Sequence, residues 1–447
     1  MMRFVRVGVR PLALAIGGAC GLAAAPLTLQ AQAWSVQGGA SAGIEYNDNY
    51  FAASDNARAA TIATVRPFAA ATRSSETTDI AALVTVAENQ VWGPSASYVS
   101  GRAGVSGAFR DGVSTWSGVA SFVRAPELQR VLAPDGLATE LTYTNTGAIT
   151  GGYTRAISDR WAAGFSAAAY ENRYGAVEGT VAARANRGAS AGGRAEYAWS
   201  DRTQLVMSTI FSGERTDIEH TYAVTPTIGF VHQATARLTV SGSAGGYWSR
   251  TDASATAVCD IASCSGGVPD TSTRRHDGGY LLGGDVAYAV SATSRLWATL
   301  ASSLVPSGTG TFTRDEVARA NFTHEWSERL SSRVAANFVH GKYTAPGTTA
   351  TSNDYALETT LAWRFADRWT LDASYRRTHV GTGLTGAPAS ANVVGISIAY
   401  SSGAPTTPEW IGVRTDALVL PGAGAVSSRE QPAWMREAPI VPESPPS

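Results

Sequence analysis

"YALETTLAWRFADRWTLDASYRR", residues 355–377, decides the fold. Successive side chains of a β-strand fall on opposite faces, and here the two faces differ in chemistry. Tyr355, Leu357, Leu361, Trp363 and Phe365 share one side, while Glu358, Thr360 and Arg364 take the other. After Ala366-Asp367-Arg368 the pattern resumes, with Trp369, Leu371, Ala373 and Tyr375 opposing Thr370, Asp372, Ser374 and Arg376. Two alternating runs around a short polar link predict an antiparallel hairpin with one apolar and one wet face. "NVVGISIAY", residues 392–400, repeats the pattern: Val394, Ile396, Ile398 and Tyr400 point outward, and Val393, Gly395, Ser397 and Ala399 inward. A sandwich core needs bulk on both inner faces. Small or polar residues on the second face instead leave an interior that water can fill.

The short link recurs in "YTRAISDRW" (153–161), "YAWSDRTQL" (197–205), "YAVSATSRLW" (288–297) and "FTHEWSERL" (322–330), and more weakly in "FVHQATARL" (230–238). Ser, Thr and Asp satisfy turn backbone groups locally, which suits tight hairpin links. Trp161, Trp199, Trp326 and Trp369 beside these links are expected at the level of lipid headgroups, at one end of a cylinder. Longer connections are expected at 47–57, 125–138, 175–188, 251–277, 344–352 and 381–389, at the other end. The pattern predicts an all-β fold, a transmembrane antiparallel up-and-down β-barrel of about 16–18 strands over residues 34–401, with an aqueous channel.

Composition agrees with a wall that meets lipid. Of 447 residues 46 are Gly, only 16% are charged, and 35 basic residues nearly balance 36 acidic ones. That balance gives nucleic acid no basic surface to bind. Arg3, Arg6 and Arg10 precede an apolar run from Leu12 to Ala25 and then Ala31-Gln32-Ala33, so residues 1–33 read as a secretory signal peptide. The rival reading, lipid attachment at Cys20, lacks a large aliphatic residue in the preceding Gly17-Gly18-Ala19. Cys259 and Cys264 then remain as a pair, expected to form a disulfide in an oxidising compartment and to close the loop CDIASC. Residues 402–447 hold eight of the 19 prolines and read as a largely disordered periplasmic tail, inert or docking a partner through Trp410 or Trp434.

"GIEYNDNYFAASDNARAATIATVRPFAA", residues 43–70, resembles the start of the outer-membrane β-barrel porin family associated with exopolysaccharide and exosortase systems. Asp48-Asn49, Ser54-Asp55 and Pro67 carry the likeness, and the repeated Ser-Asp/Glu-Arg turns extend it over most of residues 36–400. The resemblance implies a bacterial outer-membrane conduit for export or passage of polysaccharide, without catalytic residues. The Pro-rich tail is not part of the pattern. Polysaccharide is the partner it implies; the wall, the last strand and the tail add outer-membrane lipids, the barrel-insertion machinery and a periplasmic export partner as expected partners. Residues alone leave two other classes open: a non-conducting structural or adhesive barrel, and a secreted β-propeller, which would need four strands per repeat where about two are found.

Candidate sites follow from alternation. Asp285, Arg319, Glu325, Arg333, Glu358, Arg364, Asp372 and Arg376 are expected to line the lumen, as a mixed-sign pore wall or as a mutually paired network. Gly395, Ile398 and Tyr400 match the terminal pattern read by the insertion machinery, and the last strand is expected to close against 36–46. Asn47, Asp48 and Asn49 sit where the first strand ends. They read as turn caps rather than a calcium loop, which would need a DxDxDG spacing. The six His residues are scattered and Cys259 and Cys264 lack His at zinc spacing, so neither metal nor other cofactor is expected. No G-x-S-x-G or similar context points to an enzyme.

Overall fold

A computed structural model describes residues 34–50, 57–93, 97–128, 131–133, 136–138, 141–174, 185–216, 219–253, 273–306, 312–345, 348–381 and 388–402. The first strands are β1 (Ser35–Asn47), β2 (Ala60–Ser74), β3 (Thr78–Trp92), β4 (Tyr98–Arg110) and β5 (Ser114–Leu128). A small hairpin of β6 (Val131–Ala133) and β7 (Gly136–Ala138) separates these from β8 (Leu141–Ala156), β9 (Trp161–Tyr174), β10 (Asn186–Ser200) and β11 (Thr203–Arg215). Then come β12 (Glu219–Thr235), β13 (Leu238–Ala253), β14 (Thr273–Ala289), β15 (Ser294–Pro306) and β16 (Phe312–Ser327). The chain of strands ends with β17 (Leu330–Ala345), β18 (Thr348–Ala366), β19 (Trp369–Val380) and β20 (Ala389–Ser401).

Apart from β6 and β7, every strand pairs antiparallel with its neighbours in sequence, and β20 pairs back onto β1 from Gly39↔Ser401 to Asn47↔Val393. The result is a closed 18-stranded up-and-down barrel, at the top of the range expected from alternation. Closure gives every strand a neighbour on each side, which a lipid-embedded sheet requires. One continuous 18-stranded sheet also rules out the separate blades of a propeller.

The links at one end are short because local hydroxyls hold them. In Ser158-Asp159-Arg160, Ser200-Asp201-Arg202, Thr235-Ala236-Arg237 and Ser327-Glu328-Arg329, the Ser or Thr oxygen accepts the Arg backbone N–H at 3.4, 3.3, 3.1 and 3.3 Å. Register slips by one residue just before several of these turns, and the residues skipped include Trp199 and Trp326. A bulge of this kind sharpens the local twist and re-aims a side chain. Both indoles are about two-thirds exposed.

The eight links at this end span two to four residues each. At the other end the spacing between strands is uneven. The stretch 254–272 separates β13 from β14, whereas β17 and β18 are only two residues apart. Two expected connections are therefore corrected. Pairing runs through 344–352 up to Ala345↔Thr348, and β5 continues to Leu128 with β6 and β7 filling most of 131–138. The cause in both places is strand pairing that overrides a weak local turn signal.

Aromatic residues ring the outer surface at two levels. Trp116, Tyr153 and Phe165 touch at the short-turn end, as do Trp161 with Tyr197 and Trp369 with Tyr400. Tyr46, Trp92, Tyr222, Trp248, Tyr280 and Tyr355 stand exposed nearer the other end. On β14 and on β18 the two levels are eight residues apart, Tyr280 to Tyr288 and Tyr355 to Trp363. Eight residues at ~3.3 Å each, tilted by ~40°, give a height of about 20 Å, close to the apolar band of a membrane barrel. Between the rings lie exposed Val84, Val105, Ile149, Met207, Ile228, Leu300, Leu361 and Ile396. In water so much exposed apolar surface would drive aggregation; against lipid it is what the strand faces require. The protein is a transmembrane β-barrel.

Candidate functional site

Register fixes which side chains share the inner face. Opposed pairs Glu358↔Arg376, Thr360↔Ser374 and Ala362↔Asp372 alternate with the outward pairs Thr359↔Tyr375, Leu361↔Ala373 and Trp363↔Leu371. The inner face continues through Arg333↔Thr360, Thr323↔Arg333, Glu325↔Ser331, Arg319↔Asn337, Thr299↔Arg319 and Asp285↔Thr299. Asp285, Arg319, Glu325, Arg333, Glu358, Asp372 and Arg376 thus take inner-face register positions, while Arg364 lies in the irregularity between Trp363 and Ala366 and has no register partner.

The bonds described for these charges run mostly to neutral groups. Asp285 accepts hydrogen bonds from Ser241 Oγ at 3.0 Å and from Thr299 Oγ1. Arg319 Nε donates to Asn337 Oδ1 at 3.3 Å, and Arg364 donates to the turn carbonyl of Glu328. Asp372 accepts from the Ser397 hydroxyl. Arg376 Nη2 lies 3.8 Å from Glu45 Oε1 across the seam between the first and last strands. At that distance and exposure the ion pair contributes little.

Alternation in the later strands missed the charges of the earlier ones. On the inner face of β3 and β4, Arg110 Nη1 meets Asp79 Oδ2 at 2.6 Å, and Ser74 Oγ donates to Asp79 Oδ1 at 2.6 Å. On β10, Arg194 Nε meets Glu196 Oε1 at 2.6 Å, and Gln204 Nε2 donates to Glu196. Arg66 and Arg102 also take inward register positions, opposite Ser41 and Thr85. The available signal was one or two charges within runs of Gly, Ala and Ser such as "GASAGGRAEYA", a pattern too poor in large outward residues to fix the faces alone.

Between charges the inner wall carries small and polar groups, including Ser41, Gly43, Ser208, Thr227, Ser241 and Ser397. Buried apolar side chains among the described residues form two small groups, Tyr50 with Ala60, Ile62 and Val91, and Ala223 with Tyr247, Leu281 and Leu304, with others such as Val206 and Val393 outside them. No bulky core spans the barrel in the described residues, and a wall of 18 strands encloses room for water.

The Asn47-Asp48-Asn49 stretch fastens the seam. Asp48 oxygens accept the Asn392 backbone N–H and side-chain amide, both at 2.7 Å, and the Asp48 N–H donates to the Asn392 carbonyl at 3.1 Å. Asn49 Nδ2 donates to the Ser390 carbonyl at 2.9 Å, while Asn47 Oδ1 accepts the Asn49 N–H at 3.0 Å. These bonds to the Asn392 side chain and backbone hold the Asp48 carboxyl below the usual carboxylate range. At the other end of the seam Gly38 and Ser402 exchange bonds, Gly38 N–H to Ser402 Oγ at 2.9 Å and Ser402 N–H to the Gly38 carbonyl at 2.8 Å. The expected turn cap is thus also an interstrand clamp, linking residues more than 340 positions apart.

Gly395, Ile398 and Tyr400 lie on β20, paired with Glu45, Ala42 and Ala40 of β1. Cys259, Cys264, residues 1–33 and the 403–447 tail lie outside the described residues.

No protein-family model and no curated protein matches the chain. Among solved structures it is similar to the ferric citrate transporter FecA in its unliganded form, at 10% identity and a TM-score of 0.46, over 80% of this chain and 63% of that one. It is also similar to OpdQ of Pseudomonas aeruginosa, at 12% identity and a TM-score of 0.40, over 83% of this chain and 99% of that one. OccAB4 of Acinetobacter baumannii matches at 9% identity and a TM-score of 0.41, over 83% and 99% of the two chains. The chain thus spans less than two thirds of the length of the ferric citrate transporter.

Proposed function

We propose that the protein is a bacterial outer-membrane conduit for polar solutes, with exopolysaccharide as its cargo. The observation that carries the reading is the chemistry of the two faces of one closed wall. Apolar side chains meet lipid, and small hydroxyl, amide and mixed-sign charged groups meet the lumen. A neutral polysaccharide slides along such a wall by exchanging hydrogen bonds, and mixed signs avoid the tight binding that a single-sign ring would impose on ions. In this reading residues 1–33 direct secretion, both termini are periplasmic, and the short-turn end faces the periplasm.

Planar-bilayer recording tests it. The purified full chain should give steady conductance steps, reduced in a length-dependent way by neutral dextran added on one side. A correctly inserted protein without steps supports the alternative, a structural or adhesive barrel closed from within. Steps that dextran of every length leaves unchanged retain a small-solute conduit and remove the polysaccharide.

A further inference from the structure

The shortest backbone pairing in the wall joins β14 to β15, from Ala289↔Arg295 to Gly283↔Ala301. Beyond that point residues 273–282 keep their partners on β13 and residues 302–306 keep theirs on β16, but the two stretches do not pair with each other. Tyr280, at the aromatic level of the loop end, stands three residues past the last pair. The seam therefore begins about 8 Å below that level, inside the lipid band.

Side chains fill the seam where the ladder stops. The Leu282 N–H donates to Ser302 Oγ at 2.7 Å, and that hydroxyl donates to the Leu282 carbonyl at 3.4 Å. Further along, on the same edge by alternation, the Gly278 N–H donates to Asp277 Oδ1 at 2.9 Å. Leu300 on β15 is 66% exposed, whereas Ser302 and Leu304, on the same face by alternation, are only 5% and 8% exposed. The end of β15 has thus turned these side chains into the seam. On the inner side Leu304 packs with Leu281 of β14 and Tyr247 of β13. The Tyr247 ring lies against Gly279, where a Cβ would come within 2.7 Å of it, and its hydroxyl donates to Asp277 Oδ2 at 3.2 Å. On the outer side the Arg314 guanidinium reaches from β16 to lie 4.1 Å from the centre of the Tyr280 ring, and its Nη2 meets Glu316 Oε1 at 2.7 Å.

This closure differs in kind from the rest of the wall. A ladder opens only by giving up a row of backbone bonds, which lipid does not replace. An apolar plug, one hydroxyl and one cation over a ring can part and re-form without breaking a ladder. An edge whose amides are already taken up by side chains has little to offer an added strand, so a peptide is not the occupant that fits. What fits is an apolar tail, because Leu281, Leu304 and Tyr247 lead from the level of the lipid to a lumen lined by polar groups. We propose that the β14–β15 seam is a lateral gate through which an amphipathic molecule passes between the lumen and the membrane leaflet at the loop end, its acyl tail between Leu281 and Leu304 and its polar head in the lumen. The gate rests on the seam alone and stands whether or not the barrel conducts ions or carries polysaccharide.

Photolabelling tests it. The full chain is reconstituted in liposomes with an alkyl glucoside that carries a diazirine at the end of its tail, and labelled residues are mapped by mass spectrometry. Outward Leu300 should take label in proportion to the probe. Leu281 and Tyr247, buried on the inner side, should be labelled saturably and protected by excess unmodified alkyl glucoside. Leu282→Cys combined with Ser302→Cys, oxidised across the seam, should abolish inner labelling and leave that of Leu300 unchanged. Reductant should restore inner labelling in this variant and have no effect on the natural chain. Inner residues of the natural chain that take no protectable label overturn the gate. So does inner labelling that survives the oxidised lock, because the tail then enters by the mouth of the barrel. Should the double variant lack its heat-modifiable folded form, Arg314→Ala decides in its place. Loss of the cation over Tyr280 should raise inner labelling about two- to fivefold, and unchanged labelling overturns the gate.

Discussion

The outer and inner faces of β17–β20 use the same backbone and differ only in the solvent each meets. Outward stand Val334, Leu361, Tyr375, Val394 and Ile396, each about two-fifths exposed or more. Inward stand Arg333, Glu358, Asp372 and Arg376, with Asp372 bonded to the Ser397 hydroxyl and Arg376 in a long ionic contact with Glu45. Adjacent residues on one strand therefore answer to opposite rules. Charge is a liability at one position and nearly free at the next, since the lumen supplies the water that lipid withholds.

The sharpest way to break that contrast is a charge moved by a single residue. Ile396→Arg places a guanidinium against the middle of the lipid band, paired outward with Ile44 and Ala373. Mid-bilayer Arg costs a barrel about 2–4 kcal/mol. Ser397→Arg, at the same depth but facing inward beside Asp372, gives up one hydroxyl bond for a new opposite charge and should cost no more than about 1 kcal/mol. Urea unfolding in lipid vesicles measures both. Equal losses would mean that the inner face is not wet.

A smaller effect is expected at the seam, where the loop end and the turn end are fastened differently. Asp48→Ala removes two charge-assisted bonds to Asn392, whereas the turn end keeps the Gly38–Ser402 exchange. Asp48 is partly buried at the seam and still reached by water, so the loss should be about 1 kcal/mol, read as a lower temperature for heat-modifiable unfolding. The sign with pH follows from the depressed carboxyl. Its contribution is complete above the unfolded value of about 3.9 and disappears as pH falls through the lower folded one. Natural protein and Asp48→Ala should therefore converge in acid and diverge near neutrality. No gap at any pH would assign the clamp to the Asp48 backbone bond alone, which the variant keeps.

How much of this was legible beforehand depended on side-chain size. Strands with large outward residues, such as β18 and β19, declared both faces, and the charges read from that half of the chain, Arg364 at its bulge aside, take inward register positions. Strands built from Gly, Ala and Ser hid theirs. Arg66, Arg102 and Arg194 became inner-wall residues only once pairing fixed the register. The [Ser/Thr]-x-Arg turns were readable because the hydroxyl-to-backbone bond is local. The Asp48–Asn392 clamp and the Asn186–Glu214 contact were not, because they join strands distant in sequence or depend on which residue faces inward.

Reduction of the Cys259–Cys264 pair should have a smaller effect on the wall than any substitution above. The pair falls between β13 and β14, and continuous strand pairing holds the barrel around its circumference. Both thiols should resist labelling until reductant is added, while the temperature of heat-modifiable unfolding stays unchanged. Labelling of the untreated protein would exclude the disulfide.

Little effect on stability, and the most direct reading of the inner wall, is expected from reversing Arg333, Arg364 and Arg376 together to Glu. Arg364 and Arg376 each have one observed polar contact, with the Glu328 carbonyl and with Glu45, and Arg333 and Arg376 take inward register positions. Reversal places a new carboxylate beside Glu45 and Glu358, but water and salt screen that repulsion over ~10 Å at 0.1 M ionic strength. Assembly should therefore survive, shown by normal outer-membrane yield and heat-modifiable mobility. Three positive charges become three negative ones along one side of the lumen, so an open pathway must become more cation-selective. The reversal potential in a salt gradient reads this directly, and the shift should shrink as salt rises. An inserted triple variant that conducts with unchanged selectivity would place the ion path away from β17–β19. A natural chain that never conducts would leave the inner face wet but closed, and the structural barrel would replace the conduit.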